Sequence, residues 1–330
     1  MRRSDRSSFP GAVWLALLAL PAMGCRGLDI CDDEADEEVV LRRDLSLSDV
    51  PPAEIAKLGC LTKIIGDFSV TWNEEIEDLH GLESLRRLRR RVDINNNPKL
   101  TSLEGLDGLE IIDGLTRISE NGAMTSLRGL DRLTEVHNDL EISGDALLSL
   151  EGLGSLRFAE GLEVHSESLP SLEGLGPVLT WRINLSGAAL TDVSALADVR
   201  GLGSLSLTGI TVLEQVEVPD AELIYLRIGD APRLASLAPF AGKLADGLSI
   251  EILNADTLTS LEGLEGPTTL DGLSLTGNAK LESLDALSTV TKVTGDVTIT
   301  SNAALPGAAV EAWLAGVEVT GTLTVSNNGP

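Results

Sequence analysis

The chain has 330 residues, 43% of them apolar, which is enough hydrophobic material for a core and excludes disorder throughout. Its 25 Lys+Arg against 51 Asp+Glu leave a net charge of −26, which repels nucleic acid and argues against a general phosphate-binding role. Three His, three Cys and few aromatics (4 Phe, 4 Trp, 1 Tyr) leave little raw material for metalloenzyme or thiol chemistry.

The N-terminus reads as an address. Three Arg fall within the first six residues, residues 11–20 (GAVWLALLAL) are apolar, and Pro21 breaks the run. A basic start, a short apolar middle and small residues before a break make an export signal. Ten apolar residues are too few for a membrane span, which needs about 20. Ala22-Met23-Gly24-Cys25 resembles the lipobox of bacterial lipoproteins, with Ala22 where Leu is usual. The resemblance implies a signal peptide over 1–24 and a lipidated Cys25 as the first mature residue. The other reading is ordinary cleavage, with Cys25 left as a spare thiol. Arg26 behind the cysteine, where some bacteria place Asp, points to the outer membrane or cell surface.

With Cys25 lipidated, Cys31 and Cys60 remain as a single pair in an oxidising compartment. Two Cys with no nearby His make a poor metal site. Residues 29–38 (DICDDEADEE) hold seven acids but lack the D-x-D-x-D-G pattern of a calcium loop, so they read as a solvated tether. Cleavage before Cys25 removes three Arg and one Asp, leaving the mature chain at −28.

After Cys60 the chain repeats. An apolar–polar–apolar triplet recurs twelve times, from Phe68-Ser69-Val70 through Leu248-Ser249-Ile250 to Leu323-Thr324-Val325. From Val70 to Val325 is 255 residues over eleven steps, a mean near 23. Asn follows many triplets by three residues, as at Asn73, Asn97, Asn121, Asn278, Asn302 and Asn328. A Ser-Leu-x-Gly-Leu segment then follows, as at 102–106 and 260–264. A period of this length means a solenoid, because no single coil can bury its own Leu side while stacked coils can. The expected fold is mainly β: a right-handed parallel β-helix of about twelve ~23-residue coils, a rod of roughly 55–60 Å at about 4.8 Å per rung. Identical aliphatic rows also explain the scarcity of rings.

The coils resemble leucine-rich repeats. Residues 270–281 (LDGLSLTGNAKL) carry the L-x-x-L-x-L-x-x-N pattern, with two residues between Asn and the next Leu. The corners at 64–70 (IIGDFSV) and 293–299 (VTGDVTI), with Cys60 just ahead of the first, resemble the receptor L-domain. That resemblance covers about 31–330. It implies a ligand-binding β-helix with its flat sheet as the ligand face, and a Cys31–Cys60 disulfide closing an N-terminal cap over 25–60. The solenoid then runs over 61–330. The signature fades over 176–245, where two L-domain-like halves would meet. A short helix is expected at 50–58, with Pro at its start, and a helical turn at 307–315.

Catalytic motifs are absent from the sequence: it holds no G-x-S-x-G, H-E-x-x-H, C-x-x-C or P-loop. Gly201-Leu202-Gly203 reads as a corner. His80, His137 and His165 fall at different coil phases, and the row Glu104, Glu151, Glu173, Glu262 and Asp285 follows from repetition alone. Outward positions on the expected sheet are mostly Ser and Thr, and their charged members gather in the second to fifth coils. By resemblance the candidate binding face is therefore Asp93, Asn95, Arg117, Ser119, Glu141, Ser143, Glu163 and His165. The expectation is an exported, lipid-anchored envelope protein with a non-catalytic solenoid that binds a protein or glycan, a basic one being favoured. It needs no cofactor or metal. The alternatives are an envelope scaffold without a ligand and a carbohydrate-active β-helix enzyme.

Overall fold

The computed structural model describes residues 38–330, so Cys25, Cys31 and the expected export signal over 1–24 lie outside the described residues. Parallel strands stack into one β-solenoid of about 13 turns at ~23 residues per turn. Its front sheet carries the expected triplets in register, Phe68 beside Val92, Val92 beside Thr116, and so on to Val297 beside Leu323. Alternation follows from the pleat: Phe68 and Val70 are buried while Ser69 and Thr71 face out.

Two details depart from the expected register. The sheet gains a strand ahead of Phe68, because Leu45-Ser46 pairs with Phe68-Ser69 and Leu47 is fully buried. Residues 39–58 thus form a coil of their own, with Ile55 and Leu58 reaching the core from the short helix Pro52–Ile55 and the 3-10 turn Ala56–Leu58. The second departure is at 248–252. Leu226 stands beside Ile250 and Ile228 beside Ile252, so the inward pair is Ile250 and Ile252, not Leu248 and Ile250. The outward residues of that coil are therefore Glu251 and Leu253.

Most coils leave the front sheet through a residue in the left-handed region, Gly144 and Ser166 being exceptions. Asp49, Trp72, Asn96, Glu120, Asp230, Asn254, Ser301 and Asn327 all hold φ between 51 and 60°, two residues after the last inward side chain. Asn follows at the next position in both end regions, and there it is buried. Asn97 Nδ2 donates to the Val70 carbonyl at 2.8 Å and to Asn121 Oδ1 at 2.9 Å, while Asn97 Oδ1 accepts the Asn73 N–H at 3.0 Å. Asn278, Asn302 and Asn328 repeat the pattern. Between the two ladders the position passes to exposed Asp145 and Glu167 and half-buried Ala188, then to Ile210, Ala231 and Ala255, which are fully buried. Coils there are shorter, the inward residue recurring every 21 or 22 residues from Ile142 to Ile228.

On the third side the Ser-Leu-x-Gly-Leu segment turns at its glycine. Gly105, Gly129, Gly152, Gly174 and Gly263 hold φ between 96 and 112°. A Cβ at Gly105 would also overlap the carbonyl of Leu79 on the preceding coil. The residue before each glycine serves the stack through its backbone: the Glu104 carbonyl accepts the Leu79 N–H at 2.7 Å. The Glu151 and Glu173 carbonyls do the same, which leaves their side chains free to be exposed acids.

The second side pairs Val39–Leu41, Leu61–Ile64, Arg87–Leu88 and Ile111–Ile112 in turn. Over 176–245 the front ladder continues without interruption, whereas this second side thins to isolated bridges such as Phe158–Leu179 and Leu179–Arg200. Inside, one aliphatic cluster runs from Leu45 to Val310; among the described residues Phe68 and Phe240 are its fully buried rings, and Trp313 packs against it. The helix Gly307–Leu314 covers the last coils with Val310, and Trp313 Nε1 donates to the Leu287 carbonyl at 3.0 Å.

Asn97→Ala leaves the Asn73 N–H and the Val70 carbonyl unpaired in the interior, which costs about 1–3 kcal/mol. Urea unfolding should show that loss for Asn97→Ala and a change within about 0.5 kcal/mol for the outward-facing Asn95→Ala. Equal effects from the two would contradict the ladder.

Candidate functional site

Register converts sequence spacing into a surface. On the front sheet Asp93, Arg117, Glu141, Glu163 and Asn184 form one outward row, and Asn95, Ser119, Ser143, His165 and Ser186 form the next. Arg117, Ser119, Glu141, Ser143, Glu163 and His165 line a shallow depression of about 330 Å³, joined by Glu120, Asn184 and Ser186. Its floor is the sheet itself at Ile142 and Val164.

Glu141 and Glu163 are direct neighbours across adjacent strands, a repulsive arrangement unless each finds a donor. Arg117 Nε donates to Glu141 at 2.7 Å. Asn184 Nδ2 donates to Glu163 at 2.9 Å, and Arg182 stands 3.5 Å from the same oxygen. His165 Nδ1 lies 2.6 Å from the Ser186 hydroxyl. The depression thus offers alternating donors and acceptors with an excess of carboxylate, and Glu120 adds a further acid at its edge.

Asp93 and Asn95 lie one coil away and do not line the depression. Asp93 is held by Arg91 at 2.6 Å, a contact that raises the Arg91 pKa further, and Asn95 accepts from Asn96 Nδ2 at 2.9 Å. Cys60 is disulfide-bonded. The proposed partner Cys31 and the proposed lipid site Cys25 both lie outside the described residues.

Several neighbours of the site were not legible in the sequence. Arg182 crosses Gly161 to reach Asp139 two coils back at 2.7 Å, and a Cβ on Gly161 would stand 3.2 Å from its Nη2. Gly203 likewise is a seat rather than a corner: its missing side chain is where the Trp181 ring lies, and that indole is 53% exposed. Asn184 and Ser186 belong to the same two rows as the expected residues, and extending those rows by one coil would have found them.

The histidines have separate surroundings. His80 pairs with Asp78 at 2.8 Å, which raises its pKa, and His137 lies between Asp113 at 3.0 Å and Glu135 at 2.6 Å. Asp113 also takes both Arg87 nitrogens, at 2.9 and 2.7 Å, and Arg89 at 3.1 Å. The Arg87 hydrogen bonds hold the Asp113 carboxyl below the usual aspartate range. Among the described residues, no group of three or more His, Cys, Asp or Glu is placed to hold a metal ion. No helix of the described residues is long and apolar enough to cross a membrane. Comparison with protein families, with curated proteins and with solved structures finds no match to this chain.

A folded-state carboxyl held low contributes stability in full above its unfolded value of about 3.9, and that contribution fades as pH falls through the folded value. Asp113→Asn should therefore lower the denaturation midpoint at neutral pH and also shrink its fall on acidification. An acid fall as large as that of the unsubstituted protein would show that this contact is not coupled to folding.

Proposed function

We propose that this chain is an exported, lipid-anchored protein of the bacterial cell envelope whose solenoid binds a ligand without transforming it. The observation that carries the reading is the front-sheet depression. Hydrogen-bonding side chains from four successive coils converge there, on a surface whose other outward positions are mostly Ser and Thr. A rigid sheet of this kind positions side chains well and needs little ordering on binding. The carboxylate excess of Glu120, Glu141 and Glu163 over Arg117 favours a ligand with a basic group, a peptide or an amino sugar. The anchor rests on the sequence alone: the basic start, the short apolar run and Cys25.

Surface crosslinking in the native organism, followed by pull-down, tests the binding half. Glu141→Gln with Glu163→Gln should lose the captured partner, while Thr298→Ala with Thr300→Ala should keep it; capture indifferent to both pairs would overturn the site. Cys25→Ala should release the protein from the membrane fraction. A Cys25→Ala protein still held there would sink the anchor.

A further inference from the structure

The acidity of the chain is unevenly laid out. Residues 38–132 hold thirteen Lys and Arg against seventeen acids and 133–330 hold eight against twenty-seven, while the tether at 29–37 adds six acids ahead of them. Much of the basic share collects at one edge, where the second side turns into the front sheet. Register places Leu41 beside Ile64 and Ile64 beside Leu88, so the residues that follow stack as well. Arg42 and Arg43 therefore line up with Arg89 and Arg90, two coils or about 10 Å further along the rod, and Arg91 follows on the same turn. All five are exposed. The coil between them contributes Gly66, whose absent side chain lets the Arg43 backbone approach closely.

Nearby carboxylates neutralise this edge only in part. Asp113 is occupied by Arg87 and Arg89, and Asp93 by Arg91. Asp44 accepts the Asp67 N–H at 2.8 Å, and Asp67 accepts the Arg91 N–H at 3.3 Å. Arg43 and Arg90 have no carboxylate within salt-bridge distance among the described residues. A positive edge on an acidic rod orients the molecule toward an anionic surface.

We propose that this arginine edge docks on anionic membrane headgroups and sets how the rod stands on the bilayer. Two features favour a membrane over a threaded polyanion. The arginines are exposed along the corner where two sides of the solenoid meet, which suits a plane. They also sit at the end nearest Cys25, which thirteen residues separate from Glu38, a reach of at most ~45 Å. The second feature rests on the anchor reading; the edge itself does not. With the edge on the headgroups, the strongly acidic remainder of the rod is pushed away from them.

The test uses the full chain carrying Cys25→Ser, sedimented with phosphatidylcholine vesicles with or without phosphatidylglycerol, at low and raised salt. The N-terminal stretch, with Arg2, Arg3 and Arg6 beside the apolar run 11–20, is common to every variant tested, so the difference between variants reads the edge. Anionic vesicles should bind at least about tenfold more protein at low salt, and salt should erase the difference. Arg43→Glu with Arg90→Glu should sharply reduce the preference, whereas Lys280→Glu with Lys292→Glu, an equal charge change at the far end, should leave it. No preference for anionic vesicles, or one the two pairs affect equally, overturns the proposal. So does an edge that binds a soluble acidic polysaccharide but not the vesicles. Because Cys25 is absent from the tested chain, a negative result here leaves the separate fractionation test of the anchor intact.

Discussion

In-register stacking of parallel coils is the constraint on which the rest of the structure depends. One coil is too thin to shelter its own leucines, and a strand edge without a neighbour leaves a row of backbone groups unpaired. Stacking settles both at once: the ladder satisfies the backbone and the next coil covers the aliphatic face. Each buried Leu then contributes roughly 1.5–3 kcal/mol, and the total grows with the number of rungs. The same constraint admits few rings to the interior, since a ring in one coil must fit the rows above and below. Among the described residues Phe68 and Phe240 fit there fully buried.

Corners impose the second constraint. Turning out of the front sheet uses a left-handed residue in most coils, and the groups freed by that turn require partners. Asparagine at the following position meets the need by bonding both along the stack and back to the strand. Where coils shorten between Ile142 and Ile228, the ladder of asparagines stops: exposed Asp145 and Glu167 take the position first, and buried Ile210 and Ala231 later. The second side thins over the same stretch, yet the front sheet is untouched. The outward surface is thus insulated from variation elsewhere in the coil, a useful property in a surface that presents side chains.

Much of this was legible because alternation is a local signal. The triplets announced the front sheet and its two outward rows, and with them Arg117, Glu141, Glu163 and His165. The segment 248–253 (LSIEIL) offers two overlapping triplets, and only the left-handed Asn254, two residues after Ile252, chooses between them. Leu45-Ser46-Leu47 is the same triplet one period before Phe68, but it lies in a stretch whose cysteine and charges suggested a cap. Contacts that cross a coil were not legible. Arg182 reaching over Gly161, Trp181 lying on Gly203, and Arg43 aligned with Arg90 each join residues about 22 to 47 apart, and their meeting is a property of the register alone.

One unbroken ladder therefore places every outward side chain of the front sheet. Native-state hydrogen exchange resolved by segment measures that ladder most directly. Front-strand amides over 182–229 should be as strongly protected as those over 92–143, with exchange quickening only toward the ends of the rod. A band of fast exchange between 176 and 245, flanked by two protected halves, would contradict it.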